Sequence, residues 1–318
     1  MALLIHLNGE DEARWAKRLG EKLGDKLGDF PIVRRNDVFD PSDIRYVFAW
    51  NPDHDAFDGL DSLKAILSMG AGVDALLSHP KLPAGVPIVR FVDDELSQCM
   101  SDYVVANVTM HHRLYSRYRA DQMDHNWANT APHPAWKINV GVMGLGVLGV
   151  HAISKLKPLG FNVLGWSRSA HEIDGVRTYA GPTALDAFLA ETDILVNLLP
   201  LTPETKGILN YGNFAKLRRG VLGGGPVIIN PARGGHQVEN DIIAALGDGA
   251  LGAASLDVFE TEPLPKDNPL WDTVNCYITP HIAAISNSET GVNYFSSVLL
   301  DHESGKPLVN VVDTARGY

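Results

Sequence analysis

INVGVMGLGVLGVHAISKLKPLG, residues 138–160, is the stretch on which the reading of this chain turns. An uncharged apolar run over 138–143 leads straight into Gly144, Leu145, Gly146, Val147, Leu148 and Gly149, and an apolar helical pattern follows at once. This is G-x-G-x-x-G between a strand and a helix, the context in which the motif holds a dinucleotide. Gly144 permits the tight turn, Gly146 lets backbone approach a pyrophosphate with no side chain in the way, and Gly149 lets helix and strand pack closely. The N–H groups that open the helix at Val147 and Leu148 then face the phosphates. The competing reading is a turn that is merely structural.

The choice of nicotinamide cofactor is made about 20 residues further on, at the end of the second strand, where an Asp or Glu would accept the ribose 2′-hydroxyl of NAD. No acid stands there; the chain reads Gly165, Trp166, Ser167, Arg168, Ser169. A guanidinium flanked by two hydroxyls suits a 2′-phosphate, which a carboxylate would repel. The expected cofactor is therefore NADP(H) in preference to NAD(H), against the plain alternative that Arg168 is an ordinary surface arginine.

Outward from the motif, the apolar runs NVLGW, DILVNLL, PVIIN, GAASLDV and CYITP recur with helical segments or turns between them. Such runs read as strands of a parallel sheet buried on both faces. Residues 1–93 show a second, smaller alternation, with strands in LLIHL (3–7), RYVFAW (45–50), LKAILSM (63–69) and PIVRF (87–91). Residues 94–123 lack Gly and Pro and read as one long helix. A last helical pattern over 287–303 ends at Gly305, with Pro307 just beyond. It is expected to return to the first domain. The fold expected is α/β, with two Rossmann-like domains built on parallel sheets. The larger, residues 104–285, binds the dinucleotide; the smaller, flavodoxin-like substrate domain takes 1–103 and 286–318 and is completed by the C-terminal helix.

Bulk properties narrow the function. At 318 residues, 45% hydrophobic and 20% charged, the chain has the balance of a globular protein with room for two cores. Its formal net charge of -11 repels nucleic acid and anionic lipid, so an anionic substrate needs a local basic site. The only cysteines, Cys99 and Cys276, lack paired spacing and read as buried apolar thiols. No basic-flanked leader or long apolar span is seen, and a cytoplasmic enzyme without membrane or nucleic-acid partners is expected. His111 and His112 lie side by side, but adjacent helical residues point apart and no acid or Cys completes a ligand set, so no metal is expected.

Three further segments end strands, where open α/β sheets put their chemistry: IINPARGG around Arg233, SLDVFETEPLP around Glu262 and ITPHIAA around His281. With these residues the chain resembles the D-isomer-specific 2-hydroxyacid dehydrogenase family over nearly its whole length. The SMGAGVD segment (68–74), the WSRS turn, NLLPLTPET (197–205) and the terminal DTARGY are similar to family members that act on the smallest 2-oxo acids. The resemblance implies that Arg233 binds the substrate's carboxylate and carbonyl, that His281 is the acid/base, and that Glu262 is its partner. Either Glu260 or Glu262 would suit by residue type, and the family pattern D-V-F-x-x-E-P, counted from Asp257, selects Glu262. It further implies that Leu199, Pro200, Thr205, Pro231, Ala232, Arg233, Asp257, His281 and Ala283 line the cofactor. Asp257 would contact the carboxamide or order the site, with a buried structural role as the competing reading. Where the family most often has Glu, this chain has Asp102, for which little consequence is expected.

The chemistry suits these assignments. Hydride transfer to a carbonyl leaves negative charge on oxygen, so a proton donor and a fixed cation lower the barrier. A carboxylate beside an imidazole raises its pKa and fixes its orientation, and a guanidinium offers a planar fork for two oxygens. The resemblance puts the backbone of Gly70, Ala71 and Gly72 against the substrate carboxylate, with Trp50 and Met69 as walls beside Arg233 and His281. Large walls near the reactive carbon imply glyoxylate or hydroxypyruvate as substrate. If the substrate lies between the domains, segments near 94–106 and 283–289 would be hinges. The Trp-containing arm DHNWANTAPHPAW (124–136) resembles the segment through which such enzymes pair, so a homodimer is expected. The alternatives are the same fold acting on a bulkier acid such as phenylpyruvate, or a non-catalytic protein that senses NAD(P).

Overall fold

The computed structural model describes every residue except Asp29, Ala315, Arg316 and Tyr318, and of Asp25 the backbone only. The terminal DTARGY segment therefore lies partly outside the described residues. The chain divides into two compact units, Met1–Leu96 with Ser286–Tyr318, and Ser97–Ile285. Each carries a sheet of parallel strands, so the α/β class with two Rossmann-like units holds.

In the first unit the strands are β1 (Ala2–Leu7), β2 (Ile32–Arg34), β3 (Ile44–Trp50), β4 (Ala65–Ser68) and β5 (Ile88–Arg90), in the order β2-β1-β3-β4-β5. Every residue of β1 and β4 is buried, as continuous apolar strands covered on both faces should be. Between β1 and β2 runs α1 (Glu12–Leu27), capped by the Asp11 side chain, which accepts from the Arg14 N–H at 3.1 Å. Trp15, Leu19 and Leu23, spaced four apart, bury its inner face. The short α2 (Asp74–Leu77) follows β4. Strand β2 escapes the sequence pattern because IVR is short and only half-buried at the sheet edge.

The unit boundary falls inside α3 (Asp94–His112). The single helix expected over residues 94–123 is instead two. Leu114 takes a left-handed conformation (φ 60), ending α3, and α4 (Tyr115–Met123) starts afresh. No Gly or Pro marks the break. The flanking imidazoles are fixed differently, His111 on the Ser255 hydroxyl at 2.8 Å and His112 on the His133 carbonyl at 2.7 Å.

The second sheet comprises β6 (Asn139–Met143), β7 (Asn162–Ser167), β8 (Arg177–Ala180), β9 (Ile194–Asn197), β10 (Val227–Asn230), β11 (Ala253–Leu256) and β12 (Cys276–Ile278), ordered β12-β11-β10-β9-β6-β7-β8. The order reverses between β6 and β9, which places a ligand crevice at their carboxyl ends. Its helices are α5 (Val147–Leu156) after β6, α6 (Leu185–Glu191) before β9, the short α7 (Tyr211–Phe214), and α8 (Glu239–Asp248) between β10 and β11. Asn139–Met143, Ile194–Asn197, Val227–Asn230 and Ala253–Leu256 are buried throughout. Cys99 and Cys276 are half-buried rather than buried; Cys276 lies on the edge strand β12, and burial pushes its thiol up to about 12.

Last in the chain, α9 (Ser288–Glu303) packs on the first unit. Its Phe295 lies 4.6 Å from the Phe48 ring and 5.5 Å from that of Phe91, centroid to centroid. Asn287 caps it through its side chain, which accepts from the Glu289 N–H at 2.9 Å.

Candidate active site

The turn after β6 is shaped by absent side chains. Gly144 has φ 96, in the left-handed region, and a Cβ there would lie 2.4 Å from the Leu198 carbonyl oxygen. A Cβ on Gly149 would lie 1.8 Å from the Gly144 carbonyl oxygen, so the first turn of α5 can settle this closely on the strand end only with glycine. Gly146, the residue before α5, is the opposite case: a Cβ there would meet nothing within 4 Å and would project into open space over the helix start. Val147 is exposed and Leu148 half-buried. A pyrophosphate fits here, with open space above Gly146 and the N–H groups of α5 at its floor.

At the end of β7 the Ser167 hydroxyl is buried, donates to the Ser169 carbonyl at 2.7 Å and lies 3.1 Å from His171 Nδ1. It shapes the turn, while Arg168 and Ser169 are exposed. The Thr202 hydroxyl first, and the charge of Arg168 more weakly, hold the Glu204 carboxyl below the usual carboxylate range. Arg168 therefore lies within electrostatic range of the loop that follows β9. Thr205 closes that loop, its hydroxyl donating to the Pro200 carbonyl at 2.7 Å and accepting from the Thr202 N–H at 2.8 Å. Leu199 is buried beside it.

The carboxyl ends of β10, β11 and β12 carry the charged groups. Arg233 stands three residues beyond β10 in extended conformation, half-buried, with Nη1 donating to the Ala232 carbonyl at 2.8 Å. Pro231 and Ala232 are buried beneath it. Beyond β12, His281 adopts φ 55, and its Nδ1 lies 2.7 Å from Glu262 Oε2. The other carboxylate oxygen of Glu262 accepts from the Phe259 N–H at 2.9 Å. The hydrogen bond to Glu262 raises the His281 pKa, against burial and the Arg233 charge, which lower it. Burial pushes Glu262 up, but its bonds from His281 and Phe259, with the charges of His281 and Arg233, bring it below the ordinary carboxylate range. The guanidinium is thus near enough to influence both partners. Glu260 stands apart, its backbone N–H donating to Glu239 at 3.4 Å.

Asp257 is fully buried and its carboxylate is taken up by the His281 loop. Oδ1 accepts from the Thr279 hydroxyl at 2.5 Å and the Ile282 N–H at 2.9 Å, and Oδ2 accepts from the Ala283 N–H at 2.8 Å. The His281 N–H donates to the Asp257 carbonyl at 2.8 Å. Tyr103 on α3 meets the Thr279 hydroxyl at 3.0 Å. These contacts fit a role in ordering the His281 loop and fit the competing reading of a buried structural acid equally.

In the first unit, Trp50 ends β3 half-buried, and Gly70 passes so close beneath it that a Cβ would come 2.4 Å from the ring. The Gly70 carbonyl accepts from the Ser68 hydroxyl at 3.2 Å and the Phe91 N–H at 3.3 Å. Ala71 and Gly72 are half-exposed, whereas the Met69 side chain is buried, its carbonyl accepting from Ser286 at 3.2 Å.

Sequence reasoning missed three buried carboxamides, Asn197, Asn230 and Gln237, which hydrogen-bond in series under the Arg233 turn. Asn197 and Asn230 end their strands, and an amide closing an apolar strand was the available signal. Gln237 offered none. Among the described residues no group of three or more His, Cys, Asp or Glu side chains converges to hold a metal ion.

Residues 105–283 match the profile of D-isomer specific 2-hydroxyacid dehydrogenase, NAD binding domain. The glyoxylate/hydroxypyruvate reductase A of Serratia proteamaculans is 41% identical over 289 residues, spanning 88% of this chain and 91% of that protein. A probable 2-hydroxyacid dehydrogenase from Rhizobium etli, solved with NADP, HEPES and L(+)-tartaric acid, superposes with a TM-score of 0.90 at 43% identity, covering 100% of this chain and 99% of that one. An NADPH-dependent glyoxylate/hydroxypyruvate reductase from Sinorhizobium meliloti, in complex with NADP and sulfate, gives a TM-score of 0.89 at 41% identity and the same coverage.

Proposed function

The chain belongs to the D-isomer specific 2-hydroxyacid dehydrogenase family, and from that premise we propose that it is an oxidoreductase that reduces small 2-oxo acids with NADPH, glyoxylate to glycolate and hydroxypyruvate to D-glycerate. The observation that carries this reading is the 2.7 Å contact between His281 Nδ1 and Glu262 Oε2, formed within the influence of the Arg233 guanidinium.

When bound, NADPH would supply the hydride for the carbonyl carbon. Gly144, Gly146, Val147, Leu148 and Gly149 would hold its pyrophosphate, and Ser167, Arg168 and Ser169 its 2′-phosphate. Leu199, Pro200, Thr205, Pro231, Ala232, Asp257 and Ala283 complete the proposed lining. The chain's own groups do the rest. Arg233 binds the carboxylate and carbonyl oxygens, orienting the carbonyl and drawing electron density toward its oxygen. His281 is held protonated by Glu262 through Nδ1, which leaves the Nε2 proton for the oxygen as charge develops there. The hydrogen bond to Glu262 raises the His281 pKa and so favours the form that carries that proton. In the first unit, Trp50, Met69 and the Gly70, Ala71 and Gly72 backbone are the proposed substrate contacts. The burial of Met69 makes it a support for this loop, with Trp50 the larger wall.

The test is NADPH oxidation with glyoxylate, hydroxypyruvate, pyruvate and phenylpyruvate, repeated with NADH. Preference for the first two acids with NADPH is expected. Preference for phenylpyruvate would transfer the assignment to a bulkier substrate, and no turnover with any of them would end it. We further assign the protein to the cytosol, in keeping with its low cysteine content, and to a homodimer. The arm over 124–136 supports the latter: Trp127 is 98% and Trp136 63% exposed, which is costly for a lone chain. Light scattering is expected to give a dimer mass that Trp127→Ala reduces; a monomer in the parent protein would remove the argument.

A further inference from the structure

Under the Arg233 turn the carboxamides of Asn197, Asn230 and Gln237 form a buried hydrogen-bonded series that crosses the carboxyl ends of β9, β10 and β11. Asn230 is its hub. Its Oδ1 accepts from Asn197 Nδ2 at 3.0 Å and from the Ala232 N–H at 3.2 Å, while its Nδ2 donates to the Arg233 carbonyl at 3.1 Å and to Gln237 Oε1 at 2.8 Å. Gln237 passes the series on, its Nε2 donating to the Val258 carbonyl at 3.0 Å. At the other end, Asn197 Oδ1 accepts from the Leu199 N–H at 3.3 Å.

Each amide has only one orientation that works. Rotating the Asn230 group by half a turn would set its NH₂ against the Ala232 N–H and the Asn197 NH₂, stranding donors where no water competes. The series therefore has a fixed sense, and it ends one residue before Phe259, whose N–H holds Glu262 in line with His281. A buried polar chain of this kind costs stability if broken and otherwise specifies one arrangement of the segments it joins.

We propose that Gln237 is a positioning residue: through Asn230 and the Val258 carbonyl it sets the Arg233 turn at a fixed distance from the segment that carries Glu262. It touches no substrate. Its effect is on how well guanidinium and imidazole meet one carbonyl at the same time, where a displacement of about 1 Å costs on the order of 100-fold in rate. The inference rests on the reductase reading.

Two variants test it. Gln237→Leu keeps the volume and removes both hydrogen bonds. It is expected to lower kcat/KM for glyoxylate by about 10- to 100-fold and to weaken binding of oxamate, an unreducible 2-oxo acid mimic, by about tenfold in the presence of NADPH. The Kd for NADPH is expected to stay within about twofold. Gln237→Glu retains an acceptor for Asn230 but as a carboxylate cannot donate to Val258. Its activity relative to the parent is expected to recover as pH falls, because the protonated acid regains a donor, and burial brings that recovery above the ordinary carboxylate range. A general loss of packing would not respond to pH in this way. Unchanged kcat/KM and oxamate affinity in Gln237→Leu overturns the inference, as does an equal loss of NADPH and oxamate binding, or a flat pH ratio for Gln237→Glu. A parent protein that neither turns over a 2-oxo acid nor binds oxamate overturns the proposed function itself.

Discussion

The turn after β6 and the turns after β10, β11 and β12 leave the same edge of one parallel sheet, yet they are held in shape by opposite means. The first depends on what is missing: Gly144 and Gly149 allow carbonyls to approach where any Cβ would collide. The others depend on what is present: a carboxylate clamping three donors at Asp257, an ion-paired Glu262 and His281, and a series of amides beneath Arg233. A surface that receives a phosphate needs bare N–H groups and empty space, whereas a group that moves a proton must be aimed and charged. The first region should therefore be broken by adding atoms and the second by changing charge at constant size.

The largest effect is expected in the second region. His281→Gln keeps a polar side chain of similar reach but cannot deliver a proton, so kcat should fall by about 10²- to 10⁴-fold. NADPH affinity, read by fluorescence titration, should hardly move; a kcat within tenfold of the parent would remove His281 from the reaction. Next comes Gly149→Ala, in which one methyl forces strand and helix apart. It should cost about 1–3 kcal/mol of stability and, in proportion, about tenfold or more in NADPH binding, measured by thermal unfolding and titration. An unshifted Tm would show that the close approach is unimportant.

Glu262→Gln sharpens the contrast, since size and hydrogen-bonding capacity are nearly kept and only charge goes. In the parent, the Glu262 contact raises the His281 pKa, so reduction should fall only as pH rises through a value above that of an ordinary imidazole. Without the carboxylate, burial and Arg233 both lower the pKa, so the falling limb of kcat/KM should move to lower pH. The variant should be close to the parent in acid and weaker on the alkaline side of the limb, each pKa unit lost costing about tenfold in protonated fraction. An unmoved limb would separate the pair from catalysis. The smallest effect is at the rim of the first region. Arg168→Ala should raise the KM for NADPH by about tenfold, the worth of one charge-assisted contact, and leave that for NADH almost alone; equal changes would show that Arg168 does not meet the 2′-phosphate.

The same contrast decides what could be read from the sequence. A turn made by missing side chains leaves its signature in consecutive letters, and Gly144, Gly146 and Gly149 were legible without knowledge of their surroundings. Strands buried on both faces were equally plain, because continuous burial demands continuous apolar residues, as in Ile194–Asn197 and Val227–Asn230. Edges were not. Arg177–Ala180 forms β8 with partly exposed residues and no apolar run, since an edge strand has less to bury. The end of α3 was hidden for a different reason: Leu114 turns left-handed without the glycine that usually permits it.

For the charged groups, residue type alone left Glu260 and Glu262 equivalent; the family pattern pointed to Glu262, and it is the Glu262 carboxylate that lies 2.7 Å from His281. Gln237 and Asn230 are seven residues apart in sequence, and Gln237 reaches Val258 across 21. No local pattern marks such a partnership, because what selects the residue is the position of a carbonyl on another strand. Asp257 shows the intermediate case. Its identity invited three readings, and the donors at Thr279, Ile282 and Ala283 that occupy it become visible only when the β12 loop has folded back.

The placement of Phe295 on α9 against Phe48 and Phe91 has a consequence for synthesis. Those aromatic rings leave the ribosome roughly 200 residues and, at about 5–20 residues per second, tens of seconds apart. Phe48 has Trp15 beside it from the start, but the face that Phe295 covers waits for its cover while residues 97–285 are made in full. The order of birth and the order of completion are thus reversed: the unit begun first is the last whose core can close.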